Sequence, residues 1–157
     1  MTRPAQDSTP LVDVVIRHPR ERKSKCSLQP LRNRPDLRFL TAREGFSFDA
    51  TGYVLLSLDA PVLSPADAPF PLLLLDSTWR LLPRLERAIT GDPLRRSLPA
   101  RLRTACPRVS KIAPDPPRGL ASVEALYAAR LLQDRPRAGL LDHYRWREDF
   151  LAQFRPS

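Results

Sequence analysis

The chain has 157 residues, 42% of them hydrophobic, enough for a single domain with a sizeable core. The net charge of +9 and pI near 10.7 favour a polyanionic partner, and nucleic acid over membrane, since no basic amphipathic helix with an aromatic face is legible. The longest apolar run, residues 71–75, is far too short to span a bilayer, and Cys26 and Cys106 lack metal-ligand spacing, so neither a metal centre nor a disulfide is expected.

Residues 1–10 are polar with two prolines and are expected to be disordered. They lack the apolar stretch of a signal peptide, so a cytoplasmic location is expected. Residues 11–17, rich in β-branched side chains and almost continuously apolar, predict a central parallel strand. A charged loop follows from His18 to Lys25, and a short helix limited by Pro30 is expected over 27–32. Further strands are expected over 37–40, 52–58 and 72–75. The intervening stretch 61–71 carries Pro61, Pro65, Pro69 and Pro71 and reads as loop.

A helix is predicted over 79–89, with Pro83 tolerated only near its first turn and Gly91-Asp92-Pro93 ending it. The basic stretch 95–103 reads as irregular, and 113–119 as proline loop. Ser122 is the expected N-cap of a helix over 123–133, with Glu124 in its first turn and Val123, Leu126, Tyr127 and Leu131 on its apolar face. A last helix is predicted over 138–154, with Leu140, Leu141, Tyr144, Leu151 and Phe154 on one side. Strands and helices alternate, which predicts an α/β fold with a mainly parallel sheet flanked by helices.

Four spots carry candidate chemistry. Asp76-Ser77-Thr78-Trp79 places an acid, two hydroxyls and an indole where a buried strand ends, the edge at which α/β sheets hold ligands. Its plainer reading is a helix cap beside a packed tryptophan. His18 to Ser27 is a basic loop able to contact phosphate or carboxylate. The other two are Leu63-Ser64-Pro65 and residues 120–125. The chain has no G-x-G-x-x-G, no P-loop and no G-x-S-x-G elbow, and its only histidines, His18 and His143, form no hydrolase or metal pattern.

In the order and spacing of these spots the chain resembles the DTW-domain proteins and the related ribosomal RNA aminocarboxypropyltransferases. The D-x-T-W motif stands as Asp76-Ser77-Thr78-Trp79, and an H-P-x-E motif as His18-Pro19-Arg20-Glu21, with the hydroxyl of Ser27 following. An L-S-T-x-E-A-like helix start is matched by Leu120-Ala121-Ser122-Val123-Glu124-Ala125. Leu63-Ser64-Pro65, Leu98-Pro99, Trp146 and Phe150-Leu151 echo the ribosomal RNA branch. The resemblance covers roughly residues 11–154 of a single domain spanning 11–157. The N-terminal cysteine cluster of many DTW proteins is lacking, and the N-P-x-N-Y-G segment of the ribosomal RNA branch is replaced by Cys106-Pro107-Arg108-Val109-Ser110.

The resemblance implies transfer of the 3-amino-3-carboxypropyl group of S-adenosylmethionine to a uridine, or modified uridine, of tRNA or rRNA. It also implies a SPOUT-like fold with a C-terminal trefoil knot. Asp76 and Trp79 become the catalytic candidates. Ser27, Leu63, Asp76, Trp79, Leu82, Leu98, Leu102 and Ser122 become the cofactor candidates. RNA is expected across Arg17, Arg20, Arg22, Lys23 and Lys25, and across Arg95, Arg96, Arg101 and Arg103. No metal and no membrane are expected, and the oligomeric state is open. A SPOUT-class RNA methyltransferase and a non-catalytic RNA-binding module are the alternatives.

Overall fold

A computed structural model describes residues 11–20, 27–77, 80–105 and 120–155. Its centre is a five-stranded parallel sheet ordered β2-β1-β5-β4-β7. The strands are β1 (Asp13–Arg17), β2 (Leu37–Thr41), β4 (Val54–Leu56), β5 (Leu72–Asp76) and β7 (Leu94–Arg96). A two-residue parallel pair, β3 (Phe48–Asp49) with β6 (Ile89–Thr90), stands apart. Every residue of β1 is buried, as the apolar Val14–Ile16 centre of a strand covered on both faces implies, and the charged Asp13 and Arg17 at its ends are buried with it.

Successive side chains of a strand point to opposite faces, so each strand feeds two cores. Val15, Leu72 and Leu74 face α2 (Ser122–Leu132) and join Val123, Leu126, Ala129, Leu140 and Phe150 in one cluster. Val14, Ile16 and Leu73 face the other way and pack with Leu55 and Leu85, the latter from α1 (Leu82–Arg87). Each fully buried leucine or phenylalanine contributes about 1.5–3 kcal/mol of transfer free energy. α3 (Arg147–Ala152) closes the first cluster through Phe150.

Several sequence expectations shift. β1 begins at Asp13 rather than 11, and the strand expected over 52–58 shrinks to Val54–Leu56. The helix expected over 27–32 is one 3-10 turn, Gln29–Leu31. The helix expected over 79–89 is described only as Leu82–Arg87. Pro83 sits in its first turn, and Ile89 belongs to β6. Gly91, at φ +80°, turns the chain towards β7, where a Cβ would run into Asp49 and Thr51.

The stretch taken as irregular contains β7, paired with β4 at Val54↔Leu94 and Leu56↔Arg96. A three-residue edge strand buries too little to show an alternating pattern. The long helix expected over 138–154 is mostly turns, because Gly139 adopts φ +83° and only Arg147–Ala152 is helical. Leu140, Leu141 and Tyr144 are buried all the same, so their periodicity reported burial, not helix. In α2 the buried face includes Ala128, Ala129, Glu124 and Arg130, with Tyr127 and Leu131 only half-buried. The N-cap is Ala121, one residue ahead of the expected Ser122.

Candidate functional site

After β1 the chain runs to β2 on one side, and after β5 it runs to β7 at the opposite edge. The carboxyl ends of β1 and β5 are neighbours, and the crevice beyond two adjacent strands whose connections diverge is a topological switch point. Such switch points are where open parallel sheets bind ligands. Arg17 and Asp76, the last residues of the two strands, lie opposite each other in the ladder.

Parity puts both side chains on the α2 face, in line with Val15 and Leu74. Both are nearly buried, at 6% and 5% exposure. Asp76 Oδ1 accepts a 2.6 Å hydrogen bond from the Ser122 hydroxyl, and Arg17 Nε lies 3.5 Å from Asp76 Oδ2. Arg17 also donates to Gln29 Oε1 at 2.9 Å and stacks 4.5 Å above the Phe39 ring. The Ser27 hydroxyl accepts from the Val123 backbone N–H at 3.0 Å.

The first turn of α2 is the hub of this arrangement. Its backbone N–H groups have no partner within the helix. Ser27 takes one of them. Glu124, fully buried, accepts from the backbone N–H of Ala121 (2.8 Å), the Thr104 hydroxyl (2.6 Å) and the Ala105 N–H (2.8 Å). This is half of a capping box, since Ala121 has no side-chain acceptor to return. Segments distant in sequence, at 27, 76, 104–105 and 121–124, thereby meet at one helix start.

The far end of α2 is anchored at the opposite edge of the sheet. Arg130, 2% exposed, donates from Nε to Asp13 Oδ2 and from NH1 to Asp36 Oδ2, both at 2.8 Å. Asp13 Oδ1 accepts from the Leu72 backbone N–H at 2.7 Å and from Arg135 at 2.9 Å. Asp36 also meets Arg34 in a fork of two 2.9 Å bonds. The Arg34 hydrogen bond, then that from Arg130, hold the Asp36 carboxyl far below the usual carboxylate range, against the opposing effect of burial.

The structure brings three expected site residues together around one helix start: Ser27, Asp76 and Ser122. Leu63 is 2% exposed inside the α2-side core, where its N–H donates to the Ser97 carbonyl at 2.9 Å. Leu98 packs on that cluster half-buried, and Leu102 is buried. Leu82 is not brought to this group. It opens α1, whose Leu85 packs on the opposite face. Trp79 lies outside the described residues, as do Arg22, Lys23, Lys25, Cys26 and Cys106.

Among the remaining basic residues, Arg20, Arg95, Arg101 and Arg103 are exposed. Arg96 is half-buried in an ion pair with Asp67 at 3.2 Å, which orders the loop carrying Leu63 and withdraws that guanidinium from the surface. Arg17 is corrected outright: it is a buried partner of Asp76, not part of a surface patch. The clue lay in the alternation Asp13, Val15, Arg17. Charged residues at both ends of a fully buried strand require partners there. Nothing local announced Gln29 or Phe39 as those partners. No group of His, Cys, Asp and Glu among the described residues is arranged to hold a metal, and no described helix is long and apolar enough to cross a membrane.

No protein-family profile matches this chain, and no curated protein matches it by sequence. Its fold is similar to a solved structure, that of the SAM-dependent rRNA:acp-transferase Tsr3 from Vulcanisaeta distributa. The TM-score is 0.64 at 21% sequence identity, over 91% of this chain and 78% of that one. The likeness extends the α/β architecture, a parallel sheet flanked by helices, to nearly the whole described chain.

Proposed function

We propose that this protein transfers the 3-amino-3-carboxypropyl group of S-adenosylmethionine to a uridine base of RNA, with rRNA favoured over tRNA. The observation that carries the reading is the acid of the D-x-T-W motif, Asp76, which ends β5 at the β1/β5 switch point, held by Ser122 and Arg17. The fold likeness to an rRNA acp-transferase supports the same class. The reading carries with it a C-terminal trefoil knot, a DTW-type domain and a cytoplasmic location.

The donor set at the crevice fits a sulfonium amino acid. Asp76 supplies a carboxylate held in place by Ser122 and Arg17. The Ser27 hydroxyl accepts from Val123 and so keeps its proton to donate to a carboxylate. Leu98, half-buried, offers apolar surface for an adenine. When bound, the cofactor supplies an electrophilic carbon on each of three sulfonium substituents, and presentation decides which one reacts.

In this reading Asp76 holds position rather than a mobile proton. A nearly buried carboxylate bonded to a hydroxyl and paired with a guanidinium is held in one place and can orient a bound ligand. The indole of the motif, Trp79, is the residue that would shield the methyl group of a bound cofactor and leave the longer arm to the RNA. The bound cofactor would supply the arm's sulfur-bound carbon to the uridine ring nitrogen, with methylthioadenosine as the leaving group that keeps the C–S electron pair and the ring proton lost to solvent.

The test is the released nucleoside. Incubation with S-adenosylmethionine and rRNA yields methylthioadenosine and a mass gain on RNA equal to the aminocarboxypropyl group. Release of S-adenosylhomocysteine assigns the chain to methyl transfer instead, and absence of any cofactor binding by calorimetry rejects both.

A further inference from the structure

Residues 17 and 18 are consecutive at the end of β1, so their side chains leave on opposite faces of the sheet. Arg17 turns to Asp76 and α2. His18 lines a separate cavity of about 330 Å³ on the α1 side, within the size range of ligand pockets. Arg43, Glu44 and Phe46 enter it from the loop after β2, and Arg84 and Arg87 from α1.

The lining is rich in donors. Arg43 and Arg84 are exposed and have no carboxylate partner among the described residues, and Arg87 bonds only a backbone carbonyl of its own helix. His18 Nδ1 accepts from the Arg20 backbone N–H at 3.0 Å, so the imidazole proton sits on Nε2 as a further donor. Burial first, then the charges of Arg20 and Arg84, hold His18 below the usual imidazole value. One acid, Glu44, offsets three guanidiniums. Forked donors without acceptors are matched by a phosphate group, whose oxygens only accept. Phe46 adds an aromatic surface of the kind on which nucleobases stack.

We infer that this cavity seats a backbone phosphate of the RNA substrate, held by Arg43 and Arg84, beside the target nucleotide. The inference rests on the RNA-modifying reading above. Arg17, paired with Asp76, and His18, in the cavity lining, are consecutive residues, so a strand of RNA anchored on the α1 side would pass over the end of β1 towards Asp76. Such contacts set register and affinity without reading sequence.

The experiment titrates a fluorescein-labelled single-stranded uridine-containing 12-mer against wild type, the Arg43→Ala/Arg84→Ala double variant and the Arg43→Lys/Arg84→Lys double variant, over a range of salt. The alanine variant is expected to bind about tenfold more weakly or worse, the effect of removing one charge-assisted hydrogen bond. Its log–log salt slope is expected to fall by about 0.7 for each phosphate contact removed. The lysine variant keeps most of that slope and loses part of the affinity, because a point charge replaces a fork. Melting temperatures stay at the wild-type value, since both arginines are exposed and anchor no other segment among the described residues. An alanine variant with wild-type affinity and slope overturns the assignment. Calorimetry with S-adenosylmethionine on the same proteins separates the two readings. If the wild type fails to bind cofactor, the transferase reading falls while the oligonucleotide data still judge the cavity.

Discussion

Removing the Asp76 carboxylate tests both the architecture and the proposed chemistry. In Asp76→Ala the Ser122 hydroxyl loses its acceptor, a bond to a charged group worth about 1.5–3 kcal/mol. Arg17, 6% exposed, loses its counter-ion, and orphaning one member of a buried pair costs about 3–5 kcal/mol. The two losses share one carboxylate and are not additive. Arg17 keeps its bond to Gln29 and its seat over Phe39, which draws the total to the lower part of the range. A net loss of about 3–4 kcal/mol lowers the melting temperature of a chain this size by roughly 6–16 °C. Asp76→Asn, which still accepts from Ser122 but carries no charge, falls between wild type and alanine. The assay is thermal unfolding followed by circular dichroism, paired with calorimetric titration of S-adenosylmethionine at a temperature where every variant is folded. Both variants are expected to bind the cofactor at least about tenfold more weakly, a loss of about 1.4 kcal/mol or more. An alanine variant melting within about 2 °C of wild type, as read against the same scale, refutes the clamp between β5 and α2. Wild-type cofactor affinity in a destabilised variant leaves the clamp standing and refutes the site.

At the other end of α2, Arg130→Ala leaves Asp13, fully buried, with Arg135 as its one guanidinium among the described residues, and is expected to cost about 3–5 kcal/mol by denaturant unfolding; a change under about 1 kcal/mol on that scale contradicts the anchoring role. The depressed Asp36 carboxyl fixes the sign of acid sensitivity. Its stabilisation is complete above the ordinary value of 3.8 and is lost as pH falls below that towards the folded-state value. Stability measured from pH 5 downward therefore drops more steeply in wild type than in Asp36→Asn, and parallel curves would remove Asp36 from the account. Trp79→Ala is expected to abolish binding of S-adenosylmethionine while leaving RNA affinity unchanged, checked by calorimetry and by oligonucleotide titration.

Several features were legible in the residues themselves. The apolar runs at 11–17 and 72–75 announced two central parallel strands, because a strand covered on both faces has no polar side to show. Asp76 stood out as a charge ending such a run. The helix start was legible to within one residue from Ser122 and the acid Glu124 in the first turn, although the cap itself is Ala121. Short edge elements were not legible. Residues 94–96 form β7 only because β4 offers them a ladder, and residues 138–146 bury leucines through turns that mimic a helical period.

Composition and local pattern therefore determined the class of the fold, the identity of its central strands and the place where an acid meets the sheet edge. Those are properties of single segments, fixed by burial and by the backbone's short range of choices. Tertiary structure alone decided that Arg17 is a buried partner rather than a surface cation, that Ser27 and Ser122 meet the same helix start, and that His18 opens towards the opposite face. A charge's role depends on which other segment arrives beside it. The order β2-β1-β5-β4-β7, which brings residues 17 and 76 side by side, is written in no single stretch of the chain.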